Sequence, residues 1–226
     1  MTLYARSGED IDRGLIGFWK LDDKKNGSSV AIDRAKFNDG TITGATNTTG
    51  INGLNADAMF FDGVDDRVSQ SAISEVSKTK PFSISCKFKT FSLTQGTIMT
   101  NINSSADRLC IQTAANKTIR AGIYNGTTYF TTKSSSEYEL DVWHDMVFTF
   151  DGSTTSNLYI DGKLDNASTN SPSSGGVLGL VFGARTDADH FYNGSIQNMR
   201  IYNRELTAGE ASKIARLKLW KNILKQ

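Results

Sequence analysis

Apolar and polar residues alternate with a period of two through much of this chain, most clearly in residues 143–152 (WHDMVFTFDG) and 157–164 (NLYIDGKL). Met146, Phe148 and Phe150 fall on one side of a pleated strand and Val147, Thr149 and Asp151 on the other. Asp-Gly pairs close both runs, and the second, Asp161-Gly162, suits a tight type I′ hairpin turn. Phe82, Ile84, Cys86 and Phe88 repeat the alternation and predict another strand with one face in a core. Residues 119–124 (IRAGIY) turn at Asn125-Gly126 into 127–131 (TTYFT), and the nearly all-apolar run 177–182 (VLGLVF) predicts a strand covered on both faces. The period changes at residue 207. Thr207-Ala208-Gly209-Glu210 reads as a capping box, after which Ile214, Leu217, Trp220 and Leu224 recur at helical spacing with Lys213, Arg216, Lys218, Lys221 and Lys225 between them. The basic end suits the negative pole of the helix dipole.

Five segments carry a resemblance to a known family. Residues 143–152 with 158–164 are similar to W-H-H-V-A-F-T-F-D-G followed by L-Y-I-D-G-x-L, the signature hairpin of laminin-G-like, concanavalin A-like jelly-roll domains. Residues 15–22 (LIGFWKLD) resemble the family's opening strand, 33–42 (DRAKFNDGTI) its D-x-S-G-x-x-N-D-G-T-L loop, and 60–68 (FFDGVDDRV) its F-D-G-x-D-D-Y-V segment. Residues 193–207 (NGSIQNMRIYNRELT) resemble G-x-I-D-E-V-R-I-Y-N-R-A-L-S, with Gln197 and Asn198 where the family carries acids. The motifs fall in the family's order and run from about residue 14 to 210. The resemblance implies an all-β fold, a two-sheet antiparallel jelly-roll sandwich with a C-terminal amphipathic helix. The division it suggests is an N-terminal arm at 1–13, the jelly-roll domain at 14–206 and the helix at 207–226. Function stays open at this point, because the fold hosts lectins, glucanases, adhesion modules and virion proteins.

Composition narrows the classes. A chain of 226 residues can bury one substantial core, and two prolines among many Gly, Asn, Thr and Ser residues fit short strands joined by polar turns. The formal net charge of +1 makes no electrostatic case for nucleic acid. No apolar run is long enough to span a membrane, and residues 1–10 lack the apolar core of a secretory signal. Cys86 and Cys110 read as packed thiols, Cys110 having the opposite parity to its neighbours Leu109 and Ile111. Sequons such as Asn47-Thr48-Thr49 and Asn125-Gly126-Thr127 imply glycans only in a eukaryotic secretory route.

Candidate chemistry is sparse. Glu137, Glu139 and Asp141 meet the spacing of the E-x-D-x-E pattern of glucanases on this fold but lie where the family has a turn, so a solvated acidic loop is expected and no catalytic residue is assigned. His144 occupies the family's histidine position beside the hairpin tryptophan and is expected to be structural. Many relatives hold a structural calcium ion, and Asp33 and Asp39 are the candidate ligands here; Asp62, Asp65 and Asp66 form a second acidic turn, and the neutral Gln197 weakens the case. For sugar, aromatics beside polar groups point to Tyr124, Tyr129, Asp187, Asp189 and His190, while Trp19, Trp143 and Tyr192 read as core.

These readings lead to a non-catalytic surface protein: a phage virion decoration or adhesion subunit that binds host glycan. The alternatives are a free-standing lectin-like module and, more remotely, a glycoside hydrolase. The extensions beyond the family motifs place contacts with other virion or surface proteins, or with further copies of the chain, at Trp220 and Leu224. The expected setting is a virion or an extracellular surface.

Overall fold

The alternating runs form two antiparallel sheets facing each other across an apolar core. The computed structural model describes residues 11–23, 27–36, 38–70, 73, 76, 79–101, 108–124, 129–169, 179–185 and 190–217. In chain order the strands are β1 (Leu15–Trp19), β2 (Val30–Ala31), β3 (Gly40–Thr43), β4 (Thr46–Thr48), β5 (Ala58–Asp62), β6 (Arg67–Gln70), β7 (Phe82–Thr90) and β8 (Gly96–Asn101). They continue with β9 (Arg108–Thr113), β10 (Ile119–Tyr124), β11 (Tyr129–Lys133), β12 (His144–Phe150), β13 (Thr155–Ile160), β14 (Lys163–Thr169), β15 (Leu180–Phe182) and β16 (Asn193–Tyr202), before helix α1 (Ala208–Arg216). The first sheet runs β14-β13-β12-β7-β16-β5-β4, with β1 also on β16; the second runs β11-β10-β9-β8-β15-β6-β3-β2. The chain crosses between the sheets from β5 through β8, from β11 to β12 and from β14 through β16, while β8–β11 and β12–β14 each run on within one sheet. Among the described residues, no helix is long and apolar enough to cross a membrane.

Register follows the side-chain period. Met146 pairs with Ile160 and Phe148 with Leu158 across the β12–β13 hairpin, and Phe148 pairs with Ile84 and Met146 with Cys86 on the other side. A slip of one residue would turn all of these away from the core. Asp161 (φ 50°) and Gly162 (φ 78°) both adopt the positive φ that the type I′ turn demands. Trp19 is fully buried, edge-on to Phe182 at 5.3 Å, and donates its indole N–H to the carbonyl of Asn38. Trp143 differs from expectation: it precedes β12 and is only half-buried. Tyr192 is buried, with its hydroxyl 3.0 Å from that of Thr90. Cys86 belongs to the core cluster; Cys110, of opposite parity to Leu109 and Ile111, does not, and no disulfide joins the two.

The first sheet is covered on its outer face too. Thr207 caps α1 by accepting from the Glu210 N–H (3.2 Å), and Glu210 returns the bond to the Thr207 N–H (2.9 Å), which is the capping box the sequence predicts. The helix then lays Ala211 and Ile214 on Val147, Tyr159, Tyr202 and Leu206. Ser83 holds the approach to the helix by donating to Arg204 O and accepting from Leu206 N. Residues 11–14 close against the same end, through Arg204 Nε to Arg13 O (2.7 Å) and Asn203 N to Gly14 O (2.9 Å). The remainder of the arm and residues 218–226, with Trp220 and Leu224, lie outside the described residues.

Candidate functional site

Beyond the foot of α1, the outer face of the first sheet becomes polar. Odd-numbered positions of β7 face outward, which places Lys87 there, and Gln197 of β16 stands beside it in register. Arg200 pairs with Ser85, two positions along β7 from Lys87, although it stands three positions along β16 from Gln197. An extra residue in β16 therefore brings both side chains to one face, with Asn198 at φ 56° and its N–H on Lys20 O (3.2 Å). A bulge of this kind re-aims a side chain, and here it turns Arg200 outward.

A row of hydrogen bonds crosses this face. Arg34 donates to Asp22 (2.6 Å); Lys20 bridges Asp22 and Asp57 (2.6 Å each); Gln197 donates to Asp57 (2.8 Å) and accepts from the Ile51 N–H (3.1 Å). Burial disfavours the Lys20 ammonium, but the two aspartates outweigh it and hold its pKa above the ordinary lysine value. Gly50 permits the close approach of its loop: a Cβ there would meet Asp57 Cβ at 2.9 Å and Gln197 Nε2 at 3.0 Å. Lys87 pairs with Asp145 with both side chains almost wholly buried, an arrangement tolerable only because the charges are joined. Phe18, Lys20, Lys87, Gln197, Arg200 and Asn52 line a cleft of about 450 Å³ over this row, and Leu217 at the end of α1 forms one wall. That volume lies within the usual range of small-ligand sites.

The same face carries an aromatic pair at its far end. Phe60 of β5 and Lys89 of β7 both pair with Ser195 of β16. Phe91 lies 5.9 Å from Phe60, is more than a third exposed, and has the Lys89 ammonium 4.8 Å from its ring centre. Ser195 and Gln197 are two residues apart on one strand, so the aromatic pair and the cleft row are about 7 Å apart.

The residues singled out in the sequence lie elsewhere. Tyr124 and Tyr129 are in register at the end of β10 and β11, and Tyr124 is in register with Arg108 of β9. His190 has φ 51° and gives its carbonyl to the N–H of Thr97 in β8. Thr97 is in register with Gln112 and Gln112 with Arg120, four residues along β10 from Tyr124. The tyrosine pair and His190 are therefore separated by about 13 Å along the strands alone, so the structure does not bring them into one patch. Asp187 and Asp189 lie outside the described residues.

The acidic candidates organise loops. The Asp33 carboxylate accepts from the N–H groups of Phe18, Ala35, Lys36 and Asn38 and from the Asn38 amide, at 2.8–3.2 Å. Asp39 accepts from the Asp33 N–H (2.8 Å). An ion at Asp33 would have to displace these donors. Asp62, Asp65 and Asp66 do bring carboxylate oxygens within 4.8 Å of one another. Asp62 and Asp66 already accept backbone bonds from Val64 and Asp62, and burial lifts the Asp66 pKa. Glu137, Glu139 and Asp141 are exposed in the turn before β12, as expected of a solvated loop. His144 bridges within that region, accepting from the Glu139 N–H at Nε2 (3.1 Å) and meeting Asp161 at Nδ1 (2.9 Å).

Sequence reasoning missed Lys20, Asp57, Lys87, Arg200 and the Phe60–Phe91 pair. The one available signal was a lysine, Lys87, at an interior position of a strongly alternating strand.

The chain belongs to the concanavalin A-like lectin/glucanase superfamily, whose family pattern matches residues 61–212, about two thirds of its length. Comparison with curated proteins finds no match. Among solved structures it is similar to domain 4 of AbnA, a GH43 extracellular arabinanase from Geobacillus stearothermophilus, in complex with arabinotriose. The TM-score is 0.70 at 19% identity, covering 89% of this chain and 98% of that one. It is also similar to part of Trypanosoma rangeli sialidase in complex with 2,3-difluoro-KDN, with a TM-score of 0.68 at 18% identity, over 93% of this chain. The chain spans 33% of that sialidase's length. At these identities the likeness establishes the fold.

Proposed function

We propose that this chain is a non-catalytic glycan-binding module whose ligand lies along the outer face of the first sheet. The observation that carries the reading is the cleft row itself. Lys20, Asp57 and Gln197 present donors and acceptors held at 2.6–2.8 Å on paired strands and adjoining loops, beside the accessible Phe60–Phe91 surface. Sugars are recognised by this combination of fixed polar groups for hydroxyls and an aromatic surface for the ring face. The bound arabinotriose of the similar arabinanase domain supports the class of ligand.

Support for a binding role over hydrolysis comes from the carboxylates. Paired-carboxylate hydrolysis needs two acids on either side of the scissile bond. Among the described residues that line the cleft, Asp57 is the single carboxylate, and Lys20 and Gln197 both hold it. The setting we infer is a virion or extracellular surface, where glycans are displayed. A glycan array with full-length protein tests the reading, followed by chromatography of any bound oligosaccharide after prolonged incubation. Binding without cleavage is expected. Absence of binding contradicts the module, and released products contradict its non-catalytic character.

A further inference from the structure

We propose that the cleft reads a carboxylate on its glycan and that Arg200 is the residue that takes it, a proposal that rests on the glycan-binding reading above. Four cations line the cleft, and three of them already hold an acid: Lys20 has Asp22 and Asp57, Arg34 has Asp22, and Lys87 has Asp145. Arg200 has none within ion-pair distance among the described residues; Asp12 and Asp145 act on it only from farther away. Among the described residues its guanidinium makes one hydrogen bond, a long contact from Nη1 to the Asn198 carbonyl (3.4 Å).

The guanidinium is nevertheless held in place. It lies 4.3 Å from the centre of the Phe18 ring, which restrains its plane while leaving N–H groups along its edge for a planar acceptor. Burial pulls the Arg200 pKa below the ordinary arginine value, in keeping with a cation that has no acid within ion-pair distance among the described residues. Arginine stays protonated in such a setting, so the imbalance is met by bringing in an anion. The hydroxyl of Ser85, paired with Arg200 across the strands, is also buried without a hydrogen-bond partner among the described residues. This corner of the sheet thus has polar capacity that the described residues do not use. The sequence points the same way: where the resembling motif carries two acids just before this arginine, the chain has the neutral Gln197 and Asn198. The forked guanidinium matches the two oxygens of a sugar carboxylate, as found in uronic and sialic acids.

The test uses methyl glycosides of glucuronic acid, galacturonic acid and N-acetylneuraminic acid, each beside its uncharged methyl ester, titrated into the full-length protein by NMR. For at least one pair the acid should bind about tenfold more tightly than the ester, with the Arg200 side-chain N–H resonance moving. Arg200→Gln should collapse that ratio toward one, and Arg200→Lys, which keeps the charge but loses the fork, should lower it several-fold. If Arg200→Gln does not fold, the lysine variant carries the test alone. Equal affinity for acid and ester, or a ratio that survives both substitutions, overturns the proposal. Neutral sugars that bind as tightly as the acids and shift the amides of Asn52 and Gln197 would preserve the glycan reading while removing the carboxylate. Failure of every sugar to bind would remove both.

Discussion

Arg204 and Glu210 meet in a two-pronged ion pair, Nη1 to Oε2 at 2.8 Å and Nη2 to Oε1 at 2.5 Å, which clamps the end of β16 to the first turn of α1. Hydrogen bonds from Arg204 hold the Glu210 pKa at about 2, against an ordinary value of 4.5. A depressed carboxylate stabilises the fold fully above its unfolded pKa and loses that contribution as pH falls through the folded one. Stability to urea should therefore show no Glu210-dependent change from neutrality down to about pH 5, then lose this contribution between about pH 4.5 and 2. Glu210→Gln should be less stable at neutral pH and decline less over that acid range. Parallel pH profiles for the two proteins would show that the pair contributes nothing.

Phe148 is 1% exposed and packs against Phe82 with ring centres 6.1 Å apart. Phe148→Ala should cost roughly 3–5 kcal/mol in chemical denaturation, because the sheets on either side cannot collapse into the space. A loss below about 1 kcal/mol would contradict the two-sheet core as described.

Asp33 holds its loop through five donors, so Asp33→Ala should destabilise the fold by about 3 kcal/mol or more, leaving buried N–H groups unmet. The loss should be the same with and without chelator. A chelator effect on melting temperature that disappears in Asp39→Ala would instead place an ion at this loop.

What could be read from the sequence follows from what a period of two can carry. The β12–β13 hairpin, its Asp161-Gly162 turn, the inward set Phe82, Ile84, Cys86 and Phe88, and the Thr207–Glu210 cap are local signals, and the structure has them all. The cleft is not local. Lys20 finds Asp57 across 37 residues and Gln197 finds Asp57 across 140. The bulge between Gln197 and Arg200 also breaks the parity by which their faces would be assigned. In the sequence Gln197 reads as a neutral residue at a calcium-ligand position, and in the fold its amide ties β16 to the loop at Ile51 and to Asp57. Tyr124 and His190 stand out by residue type, and type alone carries no information on which end of a sheet a loop occupies.

The most direct test of the account maps a bound oligosaccharide onto the backbone. An isotope-labelled sample of the full chain is titrated with whichever array glycan binds it, and amide shifts are followed by NMR. The account predicts that the largest changes fall on Lys20, Asn52, Lys87, Gln197 and Arg200, extending to Phe60 and Phe91 with longer ligands. Changes concentrated at Tyr124, Tyr129 and His190, with the outer face of the first sheet unmoved, would contradict it.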